Sequence, residues 1–371
     1  IFLDWLLENK MSPYELEFFS GEPLVKEVAF KSLELILDKF SKTNNHPVHI
    51  VIPSNFTFLL FPELTKKVER ILQKSREMEI PIILSASVDG KFCEKNRPFR
   101  FGKEKRDDKY YSRVFSFAKK YNFGFHPMIY SDLIENWKDN FLWFQKNFDK
   151  FKIPWWNLYL LEVRNAEWTK AKISILSEFL EFLIKWTFKN RCHENAEEFI
   201  KFLFDLRGFN ILGAPFIRVG RGLGCSIQNT LTVRVGDLKI VPCHRTSYPQ
   251  FELAQFVVRN GKIKDIEILN PSLLISIYSH SAKNQPLCQT CLLKELCAFG
   301  CLGSQYETNG DLFTPIPTVC QLEFAKVFTI VKTFQELGVL EKILSKVDQS
   351  KAFSILTLLN LKELQFLPKY A

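Results

Sequence analysis

The chain has 371 residues, of which 46% are hydrophobic and 25% are charged. This composition is typical of a folded globular protein and excludes global disorder and a collagen-like fold. No run of eighteen uncharged apolar residues predicts a membrane helix, and the first residues lack a signal-peptide pattern. The net charge of +9, from 50 basic and 41 acidic residues, is spread thinly along the chain. We therefore favour a lysine-rich solvated surface over attraction to an acidic peptide or nucleic acid.

The first half of the chain alternates between short apolar runs and segments with apolar residues at helical spacing. Strands are predicted at 15–20, 49–54, 80–90, 123–130 and 157–165. Helices are predicted between and after them at 24–41, 62–78, 109–121, 132–148 and 170–188. Five strand-then-helix units in succession indicate an α/β fold with a parallel sheet and right-handed crossovers. Periodicity leaves open whether the sheet is an open doubly wound one or a full or partial barrel.

After about residue 190 the pattern changes. A helical stretch at 194–207 leads into a segment rich in glycine and turn signals. Short strand pairs are predicted within 225–330, among them a hairpin in NTLTVRVGDLKIVP with its turn at VGD. Helical periodicity returns at 321–369.

Seven of the nine cysteines lie in the last 150 residues: Cys225, Cys243, Cys288, Cys291, Cys297, Cys301 and Cys320. Because the chain is long and lacks an export signal, a metal site is favoured over a disulfide framework. The C-x2-C pair puts two thiolates on one tight loop, where they can share a metal. Zinc and iron–sulfur clusters both accept four thiolates, so the spacing alone leaves both open. Cys93 and Cys192 are interpreted as ordinary buried thiols.

The cysteine spacing is similar to a known pattern. C-x2-C-x5-C-x3-C at 288–301, with Cys320 beyond it and a C…G…C hairpin before it, resembles the SPASM domain of radical S-adenosylmethionine (AdoMet) enzymes. Motifs of the first half resemble the same family in the same order. They are FSGEP at 19–23 for its GGEP motif, IPSN at 52–55 for a TNG-like strand end, SVDG at 87–90 for its SxDG signature, and LEVRN at 161–165 for the sixth strand of the peptide-modifying branch. Ser20 departs from the first glycine of GGEP.

The resemblance covers about residues 12–330. It implies a partial (β/α)6 barrel that is similar to a triosephosphate isomerase (TIM) barrel, followed by a C-terminal SPASM domain. The domains it implies are a barrel at 1–190, a helical linker at 191–219, the SPASM domain at 220–330 and C-terminal helices at 331–371. The first β/α unit and its CxxxCxxC cluster loop are absent from this sequence. We expect them upstream of residue 1; a natural non-catalytic relative is the alternative.

The resemblance also implies cofactors and the residues that hold them. AdoMet is expected at Ser20, Gly21, Glu22, Pro23, Asn55, Ser87, Asp89 and Glu162. Two auxiliary four-iron, four-sulfur (4Fe–4S) clusters are expected, the first at Cys225, Cys243 and Cys301 and the second at Cys288, Cys291, Cys297 and Cys320. A catalytic 4Fe–4S cluster belongs to the CxxxCxxC expected upstream. The first auxiliary cluster would keep one iron open for a substrate thiolate or amide, or close it with a water, a distant cysteine or another ligand.

The implied activity is that of an oxidoreductase-type maturase in the cytoplasm, which modifies a ribosomally made precursor peptide or a protein through a 5′-deoxyadenosyl radical. Its expected electron donor is a flavodoxin or ferredoxin, and no membrane partner is expected. Binding to nucleic acid is disfavoured because the basic residues are not clustered along the sequence with aromatic residues. A formylglycine-forming sulfatase maturase, a binding scaffold and a zinc protein remain alternatives.

Two further predictions concern single side chains. His244 is a candidate base that removes a proton after radical formation, although we favour a hydrogen bond to cluster sulfur. One of Arg97, Arg100 and Arg113 is a candidate for the AdoMet carboxylate, with surface solvation as the default.

Overall fold

The computed structural model describes residues 1–19, 21–44, 47–98, 106–218, 226–281, 284–297 and 299–360. Its first half contains five parallel strands: β1 (Glu15–Glu17), β2 (His49–Ser54), β3 (Ile82–Ala86), β4 (Met128–Ile129) and β5 (Leu161–Glu162). β1, β2 and β3 form one sheet, and β4 pairs with β5. Parallel bridges from Ala86 to Phe125 and from Phe125 to Leu158 join the two sets. Each strand is therefore next to the one that follows it in the chain, and the predicted α/β class is confirmed.

Five helices follow these strands and lie close to their predicted ranges, and a further helix before the first strand was not predicted. In chain order they are α1 (Phe2–Glu8), α2 (Glu27–Phe40), α3 (Pro62–Glu77), α4 (Asp108–Tyr121), α5 (Trp137–Phe151) and α6 (Lys170–Asn190). Side-chain caps fix several of the starts; Asp107, for example, accepts a hydrogen bond from Tyr110 N at 2.7 Å at the head of α4. The predicted strand at 123–130 is shorter than expected, because Pro127 lacks the N–H that a ladder requires.

Much of the core between strands and helices is built from phenylalanine. The ring of Phe125 lies 4.9 Å from that of Phe115 and 5.5 Å from those of Phe144 and Phe148, measured between centroids. All four side chains are almost completely buried. Tilted and edge-on contacts at these distances are the favoured aromatic geometries. The high phenylalanine content of the chain therefore serves its core.

The second half begins with α7 (Ala196–Phe204) and α8 (Ala214–Ile217) and continues into an antiparallel sheet. The sheet runs in the order β6 (Thr232–Arg234), β7 (Lys239–Val241), β8 (Ala254–Arg259) and β9 (Lys262–Ile268). The predicted hairpin is confirmed, since β6 and β7 pair antiparallel across residues 235–238. The remaining helices are α9 (Pro271–Ser279), α10 (Pro286–Gln289), α11 (Leu302–Asn309), α12 (Pro317–Glu336), α13 (Leu340–Leu344) and α14 (Gln349–Leu359).

Contacts made by α12 and by α1 join the two halves. α12 packs along α6, and the rings of Phe2 and Trp5 on α1 lie 5.5 and 5.0 Å from that of Phe256 on β8. In the described part of the chain, no helix is long and apolar enough to cross a membrane.

Candidate active site and cysteine loops

The carboxylate of Glu22 is fixed between the ends of β1 and β2. Gly21 before it has φ +52°, a left-handed conformation that favours glycine. Glu22 accepts hydrogen bonds from Ser54 Oγ at 2.8 Å, Asn55 N at 2.6 Å and Leu24 N at 3.3 Å. Burial raises the pKa of Glu22, although these donors act in the opposite direction. The tight turn and the three donors therefore hold one carboxylate in a defined place.

A cavity of about 240 Å³ opens beside this carboxylate, at the carboxyl ends of the first three strands. Its walls are formed by Phe18, Phe19, Gly21, Glu22, Pro53, Asn55, Ser87, Arg97, Pro98 and Arg106. Four residues predicted to bind AdoMet from three separate motifs thus meet in one cavity: Gly21, Glu22, Asn55 and Ser87. With one carboxylate and two guanidinium groups in its wall, the cavity suits a ligand that has charges of both signs.

Asp89 is completely buried, and its carboxylate orients Arg97. Arg97 Nε donates to Asp89 Oδ2 at 2.8 Å, and a second guanidinium nitrogen donates to Asp89 Oδ1. The backbone N–H of Met128 also donates to that oxygen, at 2.8 Å. Gly90 follows with φ +95°, and a Cβ there would lie 2.4 Å from Asn140 Oδ1. The SVDG turn therefore requires glycine and supplies the acid that aims Arg97 at the cavity.

Three of the other predicted AdoMet residues, Pro23, Asp89 and Glu162, are not among the described residues that line the cavity. Pro23 is buried at the start of a 3-10 turn, and Ser20 is outside the described residues. The cavity wall that the structure describes includes neither Asp89 nor Glu162. Glu162 is instead buried against Lys326, whose Nζ lies 2.7 Å from its Oε1. Burial alone would raise the pKa of Glu162, but Lys326 and Arg164 outweigh it and hold that pKa well below its usual range.

His244 lies against the cavity wall from the second half of the chain. Its ring stacks on that of Phe19 with centroids 3.7 Å apart and an angle of 27° between the planes. Burial and the neighbouring Arg245 lower the pKa of His244, which favours the neutral imidazole. The candidate base and the candidate AdoMet residues are therefore separated by one aromatic ring.

The loop after His244 contacts one of the predicted cluster ligands. Arg245 donates to Cys301 Sγ at 3.6 Å and to Ser304 Oγ at 2.7 Å, and it also pairs with Glu307. Cys243, a second cysteine predicted for the first auxiliary cluster, lies two residues before Arg245 in the chain. Cys225 lies outside the described residues.

The four cysteines predicted for the second auxiliary cluster act on one another electrostatically. Burial and the neighbouring Cys291 raise the pKa of Cys288 to about 11. Cys320 retains accessible surface as a residue, but its sulfur is desolvated, which together with Cys288 and Cys291 raises its pKa to about 12. Burial and Glu323 raise the pKa of Cys297 to about 12, with Cys320 adding to the effect. The four thiols therefore share one neighbourhood, and the raised pKa values of Cys288, Cys297 and Cys320 mean that these three need a cation nearby to become thiolates.

Four thiol side chains match the donor set of a four-iron cluster and that of a zinc ion alike. Among the residues that the structure describes, no three His, Cys, Asp or Glu side chains are placed so that they could hold one metal ion. A four-iron cluster binds each thiolate at a different iron, so its ligands stand further apart than those of one zinc ion. The eight described cysteines are free thiols, and Cys93 and Cys192 are buried as predicted.

Three functional candidates escaped the sequence analysis: Arg106, Glu323 and Lys326. Arg106 belongs to a run of charges that resembles a solvated loop, yet it is only 8% exposed and lines the cavity. Glu323 and Lys326 are three residues apart on α12, a spacing typical of an exposed ion pair. Only the packing of α12 on α6 reveals that both are buried.

Comparison with known proteins finds a likeness to solved structures. No protein-family model and no curated protein sequence match the chain. A structure of native anSMEcpe, an anaerobic sulfatase-maturating enzyme of the radical AdoMet and SPASM type, with bound AdoMet and Kp18Cys peptide, matches with a TM-score of 0.52 and 14% identity over 87% of this chain and 85% of that one.

Two further structures of anSMEcpe with bound AdoMet, one of the native enzyme and one of a histidine-tagged form, match less closely. They are 14% and 13% identical, with TM-scores of 0.44 and 0.45, over 84% and 89% of this chain and 89% of theirs in both cases. At this identity, the likeness to the peptide-bound structure concerns the fold alone. The chain thus shares its fold with a radical AdoMet enzyme that has a SPASM domain, and the resemblance drawn from its motifs is confirmed at that level.

Proposed function

We propose that this protein is a radical AdoMet maturase that modifies a peptide or protein substrate. The observation that supports this most is the cavity of about 240 Å³, in which Gly21, Glu22, Asn55 and Ser87 meet two guanidinium groups. A solved structure of the same fold holds AdoMet and a peptide. We further propose that the strands belong to a partial barrel with its pocket at their carboxyl ends, where α/β folds bind their ligands.

The charges of the cavity suit the amino acid end of AdoMet. Glu22 accepts hydrogen bonds through both carboxylate oxygens and can also accept one from the ammonium group. Arg97, oriented by Asp89, and Arg106 can bind the carboxylate, since a guanidinium binds carboxylates through paired hydrogen bonds. Asn55 and Ser87 offer polar side chains for the ribose. Phe18, Phe19, Pro53 and Pro98 add apolar surface to the wall of the cavity.

We also propose that the cysteine loops bind two iron–sulfur clusters. Cys288, Cys291, Cys297 and Cys320 would hold one auxiliary cluster, and Cys243 and Cys301 would hold another together with Cys225. When bound, AdoMet and the clusters supply the hydrogen-abstracting radical and the electron path, which no side chain can provide. His244, stacked on Phe19 at the cavity wall, is placed to take a proton from the substrate or to bond to cluster sulfur. We also propose a cytoplasmic location, where thiols stay reduced, and a flavodoxin or ferredoxin as donor.

A second candidate function is supported by the nature of the solved relative. That enzyme matures sulfatases and was captured with a cysteine-containing peptide. Formylglycine formation on a sulfatase peptide is therefore the first reaction to test beside modification of a ribosomally made precursor peptide. The two differ in substrate and share the cavity.

The test begins with the natural full-length protein purified anaerobically. We expect iron and acid-labile sulfide, and 5′-deoxyadenosine from AdoMet when dithionite is added. Peptide mass changes with a Cys-type sulfatase peptide, or with short precursor peptides, distinguish the two candidates. Zinc without sulfide would overturn the proposal, and clusters without any AdoMet cleavage would leave a binding scaffold.

One substitution connects the activity to the cavity. Glu22→Gln keeps the shape of the side chain but removes its charge, so we expect AdoMet binding to weaken by about ten- to a hundredfold, as for a lost hydrogen bond to a charged group. Equilibrium dialysis with labelled AdoMet measures this. Glu63→Gln, at an exposed position at the start of α3, is the matched control and should bind like the wild type.

A further inference from the structure

Four charged side chains meet in the interior between β5 and α12. Lys326 Nζ lies 2.7 Å from Glu162 Oε1 and 2.7 Å from Glu323 Oε1. Arg164 contacts the same two oxygens, both at 3.0 Å. The side chains of Glu162, Glu323 and Lys326 are 1%, 2% and 4% exposed, and that of Arg164 is 12% exposed. We call these four residues the buried charge network.

This network is poorly explained as a stabilising device. Buried ion pairs lose their hydration, and apolar replacements of similar volume often leave a protein as stable or more so. Moreover, Glu323 Oε2 is buried and has no hydrogen-bond partner among the described residues, which itself costs free energy. An arrangement that is costly and incompletely satisfied points to a role other than holding α12 in place.

The position of the network suggests that role. Glu323 is one helical turn from Cys320 on α12, and it acts on the thiols of both Cys297 and Cys320. Arg164 acts on Cys297 in the opposite direction. Arg218, just after α8, is near enough to interact electrostatically with Arg164, Glu162, Glu323 and Cys297 as well. The network therefore adjoins two of the four thiols in the proposed second auxiliary site.

We propose that the buried charge network sets the reduction potential of the iron–sulfur cluster held by Cys288, Cys291, Cys297 and Cys320. This inference rests on the proposed function, because it requires that cluster. Reduction by one electron adds one negative charge to the cluster and transfers no proton in this scheme. Negative Glu323 opposes that charge, whereas Arg164, Lys326 and Arg218 favour it. In a buried site such charges act strongly because water screens them little.

The test is a redox titration of the anaerobic holoprotein followed by electron paramagnetic resonance. The signal of the second cluster is identified by its loss in Cys320→Ala. Glu323→Gln removes a negative charge and should shift the potential of this signal upwards. Lys326→Met removes a positive charge from the same network and should shift it downwards. Glu336→Gln, on the last turn of α12 in an exposed pair with Lys185, is the matched control and should leave the potential unchanged.

Shifts of the reduction potential in opposite directions would indicate electrostatic tuning. A purely structural role of the network would shift the potential of both variants in the same direction or leave both unchanged. Should Lys326→Met fail to fold, Arg218→Gln replaces it, since it removes a neighbouring positive charge and leaves the four bonded side chains intact. Its potential should also fall. If the cluster is present and its reduction potential in these variants equals that of the wild type, this inference is overturned and the proposed function is not. A wild-type protein without iron and sulfide would overturn the proposed function, and the inference with it.

Discussion

The two halves of the molecule are held together differently. The parallel region, residues 12–190, contributes most of one continuous apolar core that also includes α7 and α12. The cysteine-bearing region, residues 226–313, has two small cores that comprise seven and four buried apolar residues among those described. Small cores rarely stabilise a domain without disulfides, metals or neighbours. The first region is thus held by apolar burial, whereas the second has little core of its own and, under the proposed function, depends on what its cysteines bind.

The strongest way to break this comparison is to remove the metal. Metal binding and folding are coupled where the ligands come from a region with little core. After removal of iron by a chelator and ferricyanide, we expect amide protection to be lost throughout β6–β9 and α11 and retained in α4, α5 and α6. Hydrogen exchange followed by mass spectrometry measures both regions in one sample. Protection that survives in β6–β9 would show that the small cores suffice.

The next largest effect is the loss of stability when a buried phenylalanine is removed from the large core rather than from a small one. Phe125 is 1% exposed and lies among three other phenylalanine rings. Phe125→Ala should lower the free energy of unfolding by about 3 to 5 kcal/mol. Phe256, at 2% exposure, belongs to a core of only four buried apolar residues among those described and packs on Phe2 and Trp5 of α1. Phe256→Ala should therefore cost less in urea unfolding; equal losses would contradict the difference between the cores.

The same contrast explains how far the sequence predicts the structure. Residues 49–54 form β2 with the predicted limits, because its side chains alternate between buried and half-exposed environments. Four cavity residues were predicted because motifs fix their local turns. Contacts distant in sequence were not predicted: Phe19 stacks on His244, and Lys326 on α12 reaches Glu162 on β5. Nothing in the local pattern of either pair specifies its partner.

A smaller effect arises from one histidine in the parallel region. Burial lowers the pKa of His126 to about 4, and Arg97 acts in the same direction while Asp89 opposes it. Tyr159 packs edge-on against the ring, with centroids 4.8 Å apart. The folded protein keeps this imidazole neutral, while the unfolded chain takes up a proton below about pH 6.5. His126 therefore stabilises the fold above that pH, and the contribution is lost as the pH falls towards 4.

We expect this loss to be on the order of 2 to 3 kcal/mol between pH 7 and pH 4. Urea unfolding at several pH values measures it as the difference between the wild type and His126→Phe, which has no group to titrate. The Nε2 atom of His126 is buried without a hydrogen-bond partner in the described structure, so the substitution sacrifices no bond at that atom. His193→Asn, at an exposed position, is the control. Parallel pH profiles for His126→Phe and the wild type would contradict the prediction.

The smallest effect concerns how α1 is attached to the cysteine-bearing region. Lys262 on β9 pairs with Glu8 on α1 at 2.7 Å, but the two side chains are 59% and 50% exposed. Water screens such a pair and ordering it costs entropy, so Lys262→Ala should barely change the free energy of unfolding. Lys264→Ala on the same strand is the matched control. Trp5→Ala should cost clearly more, because the Trp5 ring contacts Phe256. If the lysine mattered as much as the tryptophan, and its effect vanished in high salt, charge rather than apolar contact would attach this helix.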